Sequence, residues 1–187
     1  MIFRLFRRDP HAPTIAALYG AIVAQARRPA FYLVFGAPDT AEGRFDMLVL
    51  HLALFCRRLG TADAAAQALS QGVFDMFCAD MDRNLREMGV GDLSVPKKMQ
   101  KLGEAFYGRL SVYDRALAAA DDDALAAALA KNVIGNVIGE AAPSGRARRL
   151  AAYVRAAARE LDATDAVALR DGKLSFPDPD ATAEAHA

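Results

Sequence analysis

Apolar residues recur along this chain at helical spacing. From about residue 14 to residue 161 the dominant pattern is i, i+3, i+4, i+7, carried by Ala, Leu, Met and Phe, and the period-two alternation of Val, Ile and Thr that marks strands is missing. The pattern predicts an all-α fold, a single compact domain of about six helices. The first runs from near Thr14 to Arg27, with Ile15, Leu18, Tyr19 and Ile22 on one face, and stops before Pro29. Residues 29–43 read as an unusually aromatic loop holding a helical turn around Phe31 to Phe35, which Gly36 and Pro38 end. The second helix, 44–59, is apolar around most of its circumference and is therefore expected to be the central, buried one; its polar exceptions are Arg44, Asp46, His51 and Arg57.

The region Asp63 to Met88 is expected to break near Gly72, after which Phe74, Phe77, Cys78, Met81, Leu85 and Met88 form an apolar stripe with Asp75, Asp82 and Arg86 on the other side. Gly89-Val-Gly-Asp-Leu93 turns the chain towards Ser94, a predicted N-cap with Pro96 behind it. The long helix that follows carries Val95, Met99, Leu102, Phe106, Leu110, Tyr113 and Leu117 on its apolar face and a basic stripe of Lys97, Lys98, Lys101 and Arg109 outside. Asp121 caps an alanine-rich helix to about Val133, Ser144 another through Leu161, and Asp171-Gly172 turns into Leu174 and Phe176. The expected layout is an N-terminal arm (1–11), a helical domain (12–176) and a disordered tail (177–187), the last too polar and small to pack.

Composition narrows the function classes. With 187 residues the chain can bury a core without disulfide or metal staples, and 23 basic residues balance 23 acidic ones, so no overall field draws it to nucleic acid. Cys56 and Cys78 sit in apolar surroundings on separate predicted helices, as reduced thiols of a cytoplasmic protein do. The richest apolar run, Phe45 to Phe55, is too short for a membrane span and holds Asp46 and His51. Met1 to Arg8 alternates apolar residues with Arg4, Arg7 and Arg8, which suits weak association with an anionic membrane surface; vesicle flotation with and without these residues tests that.

Catalytic patterns are weak. Asp75, Asp80 and Asp82 are the carboxylates an all-α isoprenoid or lipid-type enzyme would offer to magnesium, and that is the alternative reading. Yet Asp80 points about 160° away from Asp82 around a helix, and Asp82 to Arg86 is an i,i+4 pair. His51, Cys56 and Cys78 lack the paired spacing of a zinc site, and His51 reads as a buried, hydrogen-bonded imidazole. No nucleophile elbow or phosphate-binding glycine loop is present, so neither catalysis nor a cofactor or metal is expected.

Three segments carry a resemblance: Phe31-Tyr32 with Gly36-Ala-Pro-Asp-Thr-Ala-Glu-Gly-Arg-Phe-Asp-Met-Leu-Val-Leu-His51; Phe74-Asp-Met-Phe-Cys-Ala-Asp-Met-Asp-Arg-Asn-Leu-Arg-Glu-Met-Gly-Val-Gly-Asp-Leu93; and Val95-Pro-Lys-Lys-Met99 with Ala105-Phe-Tyr-Gly-Arg109. Together they resemble the ubiquinol-cytochrome c chaperone family, with Ala37 where a larger residue is expected. The resemblance implies an all-helical assembly factor for complex III, whose mitochondrial members bind newly made cytochrome b, associate with a small helical partner and contact the ribosome. The short stretch before the domain suggests a bacterial cytoplasmic relative, peripheral to the inner membrane. Within these motifs Phe31, Tyr32, Phe35, Met99, Phe106 and Tyr107 are expected to line an apolar groove for a protein client, rimmed by Arg44, Lys97, Lys101 and Arg109. Asp39, Asp82, Arg86 and Asp92 complete the expected partner-binding set. A ribosome-associated scaffold without a client is a further alternative, read from the basic stripe.

Overall fold

Capping side chains mark where most of the long helices start. In the computed structural model, which describes residues 10–119, 121–135 and 144–184, Thr40 Oγ1 accepts from the Gly43 N–H and Asp63 from the Ala66 N–H. Asp121 and Ser144 do the same for Ala124 and Ala147, each satisfying a backbone donor that a helix leaves open. The elements are α1 (Ala12–Ala26), α2 (Ala30–Leu33), α3 (Ala41–Gly60), α4 (Ala64–Glu87), α5 (Val95–Ala118), α6 (Asp122–Leu129, continued by a π-turn Ala130–Ile134), α7 (Gly145–Ala163), α8 (Ala166–Arg170) and α9 (Pro179–Glu184). No strand occurs among the described residues, so the fold is all-α as expected. No helix among them is long and apolar enough to cross a membrane. Met1 to Arg8 lies outside the described residues.

Helix α3 is the central one: it packs against α1, α4, α5, α7 and the π-turn, and Met47, Leu50, His51, Leu52 and Phe55 are fully buried on it. It begins three residues earlier than residue 44 because Thr40 supplies the cap. Its start lies under the preceding loop. Gly43 faces the Pro38 carbonyl so closely that a Cβ would fall on it, and Gly36 turns the loop with φ +84°, a conformation that costs an L side chain. Gly43→Ala is expected to lower stability by about 1–3 kcal/mol through overpacking, measured by urea unfolding; an unchanged midpoint would show that the loop yields freely.

Three expectations are corrected. Helix α4 runs unbroken through Gly72; a Cβ there would collide with the Ile15 side chain of α1, so this glycine serves a close helix crossing and does not end a helix. Ser94 makes no side-chain cap, and its backbone is already helical. The tail is ordered through residue 184: Asp178 and Asp180 pair with Arg28 at 2.8 and 3.0 Å, and Gln25 Nε2 donates to the Pro177 carbonyl at 3.1 Å. Ala183 is buried, and α9 packs on α7 and α2. Residues 185–187 lie outside the described residues.

Candidate functional site

The apolar stripes of α4 and α5 are longer than the core they serve. On α4 the buried residues are Ala66, Leu69, Val73 and Phe77, and none follows Phe77. Met81 and Leu85 continue the stripe half-buried, and Met88, just past the helix, is 75% exposed. On α5 the inner half is anchored by Phe106, Tyr113 and Ala116, while Val95 is buried apart from the main core and Met99 is half-buried. Leu93, in the turn between the helices, is 98% exposed. Among the described residues, the outer end of this hairpin thus leaves Met88 and Leu93 open, with Met81, Leu85 and Met99 half-buried beside the helix faces that carry them. Arg86 holds its shape by reaching from Asp82 (2.7 Å) on α4 to Asp92 in the turn, so the expected i,i+4 pair is present and extends into a three-residue cluster.

Where the hairpin meets α3, an aromatic cluster forms. Phe74 lies 4.8 Å from Phe106 and 5.7 Å from Tyr107, and Phe77 contacts Phe45, Phe74 and Phe106 at 6.1–6.4 Å. Tyr107 is the outer ring, 56% exposed. Below it Arg109 donates to Asp46 of α3 at 2.6 Å in a half-buried pair. Burial holds the Asp46 carboxyl above the ordinary carboxylate range, against the pull of Arg109. Lys97, Lys98 and Lys101 are exposed along α5, without an ion pair or hydrogen bond among the described residues.

The expected groove is therefore not one surface. Phe31 and Phe35 are fully buried in a second ring cluster with Tyr153, 4.8 and 5.9 Å away, and with His51. That cluster contacts α3 at His51, whereas the first contacts it at Phe45, six residues or about 120° away around the helix. Phe106 is buried as well. These three rings are core and offer no contact area, a correction whose reason is simple: aromatic rings supply the same large apolar area to a core as to an interface. Tyr32 is half-buried and donates to the Ala26 carbonyl at 2.8 Å. Arg44 is exposed but paired with Asp39 at 2.7 Å, which draws the Asp39 carboxyl below its ordinary range. Of the expected set, Tyr107, Met99, Lys97, Lys101, Asp82, Arg86 and Asp92 share the α4–α5 hairpin, and Arg109 ties it to α3. Met88 and Leu93 were absent from that set; the continuation of both stripes into the Gly89–Gly91 turn was the available signal.

His51 is buried and engaged on both nitrogens. The Met47 carbonyl, at 2.8 Å, can only accept, so Nδ1 carries the proton, and Nε2 accepts from the Tyr153 hydroxyl at 2.8 Å. Tyr153 in turn accepts from Gln25 Nε2 at 2.9 Å. Burial lowers the His51 pKa to about 4 and raises that of Tyr153, so both are neutral. This chain joins α3, α7, α1 and the C-terminal segment and is structural. The three carboxylates that suggested magnesium face different partners: Asp80 accepts from Tyr19 at 2.8 Å, Asp75 from Gln71 at 2.7 Å, and Asp82 from Arg86. Among the described residues, no group of three or more His, Cys, Asp or Glu is arranged to hold a metal.

Known proteins resemble the chain over most of its length. The family model described as Ubiquinol-cytochrome C chaperone matches residues 33–176, which include the whole α4–α5 hairpin. The chain is similar to a Xenopus laevis protein named Ubiquinol-cytochrome-c reductase complex assembly factor 1, 26% identical over 153 residues that cover 81% of this chain and 74% of that one. It is also similar to the crystal structure of the Cbp3 homolog from Brucella abortus, at 41% identity and TM-score 0.82 over 96% of this chain and 98% of that one. With the match spanning most of its length and the fold shared throughout, this chain belongs to the ubiquinol-cytochrome c chaperone family.

Proposed function

We propose that this protein is a non-enzymatic assembly chaperone that holds an apolar polypeptide, newly made cytochrome b, on the outer part of the α4–α5 hairpin. The observation that carries the reading is the exposure of Met88, Leu93 and Tyr107 on this hairpin, with half-buried Met81, Leu85 and Met99 continuing the same stripes. Apolar surface released from water contributes roughly 25 cal/mol per Å², so a client's membrane segment gains most where the chaperone's own apolar side chains are open. Three of the six methionines stand here, Met81, Met88 and Met99. Their unbranched, polarisable side chains adapt to a client whose exact shape varies. Lys97, Lys98 and Lys101 make a charged rim that limits self-association and orients the approach. The alternative magnesium enzyme has no support in the arrangement of Asp75, Asp80 and Asp82.

Capture of cytochrome b from cells making the complex is expected to fall about tenfold in Leu93→Asp and in Tyr107→Ala, the size of an interface hot spot. Both side chains are exposed, so thermal unfolding of either variant should stay near that of the parent. Undiminished capture by both folded variants would place the client elsewhere.

A further inference from the structure

A pocket of about 360 Å³ opens between α6 and α7, and none of its lining residues belongs to the α4–α5 hairpin. One wall is an arginine ladder. Arg148, Ala152, Arg155 and Arg159 stand at i, i+4, i+7 and i+11 of α7, a single stripe of the helix, and the small side chain of Ala152 leaves the guanidinium groups room between them. Opposite, the first turn of α6 supplies Asp122 and Asp123. Asp123 meets Arg148 at 3.4 Å and Asp122 pairs with Arg155. Both carboxylates are mostly exposed, so they hold the arginines as screened surface pairs that water readily replaces.

Donors exceed acceptors in this pocket. Arg155 uses Nε on Asp122 and Nη1 on the Leu117 carbonyl at 3.5 Å, while its Nη2 is buried with no hydrogen-bond partner. Arg159 has no ion pair or hydrogen bond among the described residues. Three guanidinium groups face two carboxylates, and an incoming anion that displaces Asp122 meets Arg155 and Arg159, which stand one helical turn apart, with Arg148 further along the same stripe. Guanidinium groups present forked N–H pairs that match the oxygens of a phosphate better than any other common partner except a carboxylate. The volume and the three separated cations favour the larger, multiply charged anion.

We propose that this pocket binds a phosphate-type oxyanion, presented either as a free phosphate ester or by a lipid headgroup, with Arg155 and Arg159 as its principal donors and Asp122 and Asp123 as the carboxylates it displaces. The site is independent of the client surface.

Calorimetric titration of the full chain with pyrophosphate, and separately with phosphatidylcholine vesicles with and without phosphatidic acid, tests it. Saturable binding is expected to weaken about tenfold in Arg159→Gln, the loss of one charge-assisted contact. It is expected to tighten severalfold in the Asp122→Asn/Asp123→Asn double variant, which a merely structural role for these pairs would not produce. Circular dichroism confirms that each variant is folded. Binding of pyrophosphate alone assigns the free ester, and binding of phosphatidic acid vesicles that the same substitutions alter assigns the headgroup. Absence of saturable binding to either probe, unchanged binding in Arg159→Gln, or weaker binding in the double Asn variant overturns the proposal.

Discussion

Phe31→Ala is expected to cost about 3–5 kcal/mol of stability, the range for truncating a buried ring. For a chain of this size that is a fall of about 6–20 °C in Tm. The ring is fully buried, 5.6 Å from Phe35, 5.2 Å from His51 and 4.8 Å from Tyr153, and removing it leaves a cavity where α2, α3 and α7 meet. Tyr107→Ala should cost far less, because the Tyr107 ring touches Phe74 and Phe106 on one side only and is 56% exposed. The two substitutions therefore separate the closed core from the proposed client surface. Equal stability losses would contradict the division between a closed ring cluster and an open hairpin; the readout is urea unfolding followed by circular dichroism.

Acidification from neutral pH is expected to destabilise the protein through His51. His51 has a folded pKa of about 4 and an unfolded one near 6.5. Between those values the unfolded chain takes up a proton that the native chain excludes, so stability present above about pH 6.5 is lost as pH falls, by roughly 1.4 kcal/mol per unit and about 3 kcal/mol in all. The cause is burial of the imidazole, with Nε2 already accepting from Tyr153. Asp39, Asp63 and Asp82, whose pKa values are lowered, add acid sensitivity only below their unfolded values near pH 4. Asp46, whose pKa burial raises, takes up its proton first in the folded chain and works against the loss, so it is the difference between the parent and a His51 variant from pH 7 to pH 5 that reports His51. His51→Gln should be less stable at neutral pH and lack the fall that the parent shows over that interval. A parent protein whose unfolding midpoint is constant from pH 7 to pH 5 would contradict the buried, neutral assignment.

How much of this was legible beforehand follows from the kind of force involved. The central helix was readable because residues 44–59 are apolar all round, a pattern that only burial on every side explains. The pairing of Asp82 with Arg86 was readable because it is local. Gly72 was misread as a break because propensity is a weak prior that the crossing with Ile15 overrides. The final helix was invisible because its order comes from Arg28 and Gln25, about 150 residues away in the chain. Phe31, Phe35 and Phe106 were expected at an interface since the sequence marks rings but not what surrounds them. The proposed client surface was half legible: both stripes were visible, but not that the core ends near Phe77 and leaves their outer turns less covered.

The proposed function rests on the outer α4–α5 hairpin holding the client. A photo-crosslinking residue placed at Leu93, and as a control at Val167 on α8, which is also apolar and exposed, tests it most directly in cells assembling the complex. A cross-link from position 93 to newly made cytochrome b, and none from position 167, is the expected result. A cross-link from position 167 with none from position 93 would contradict it.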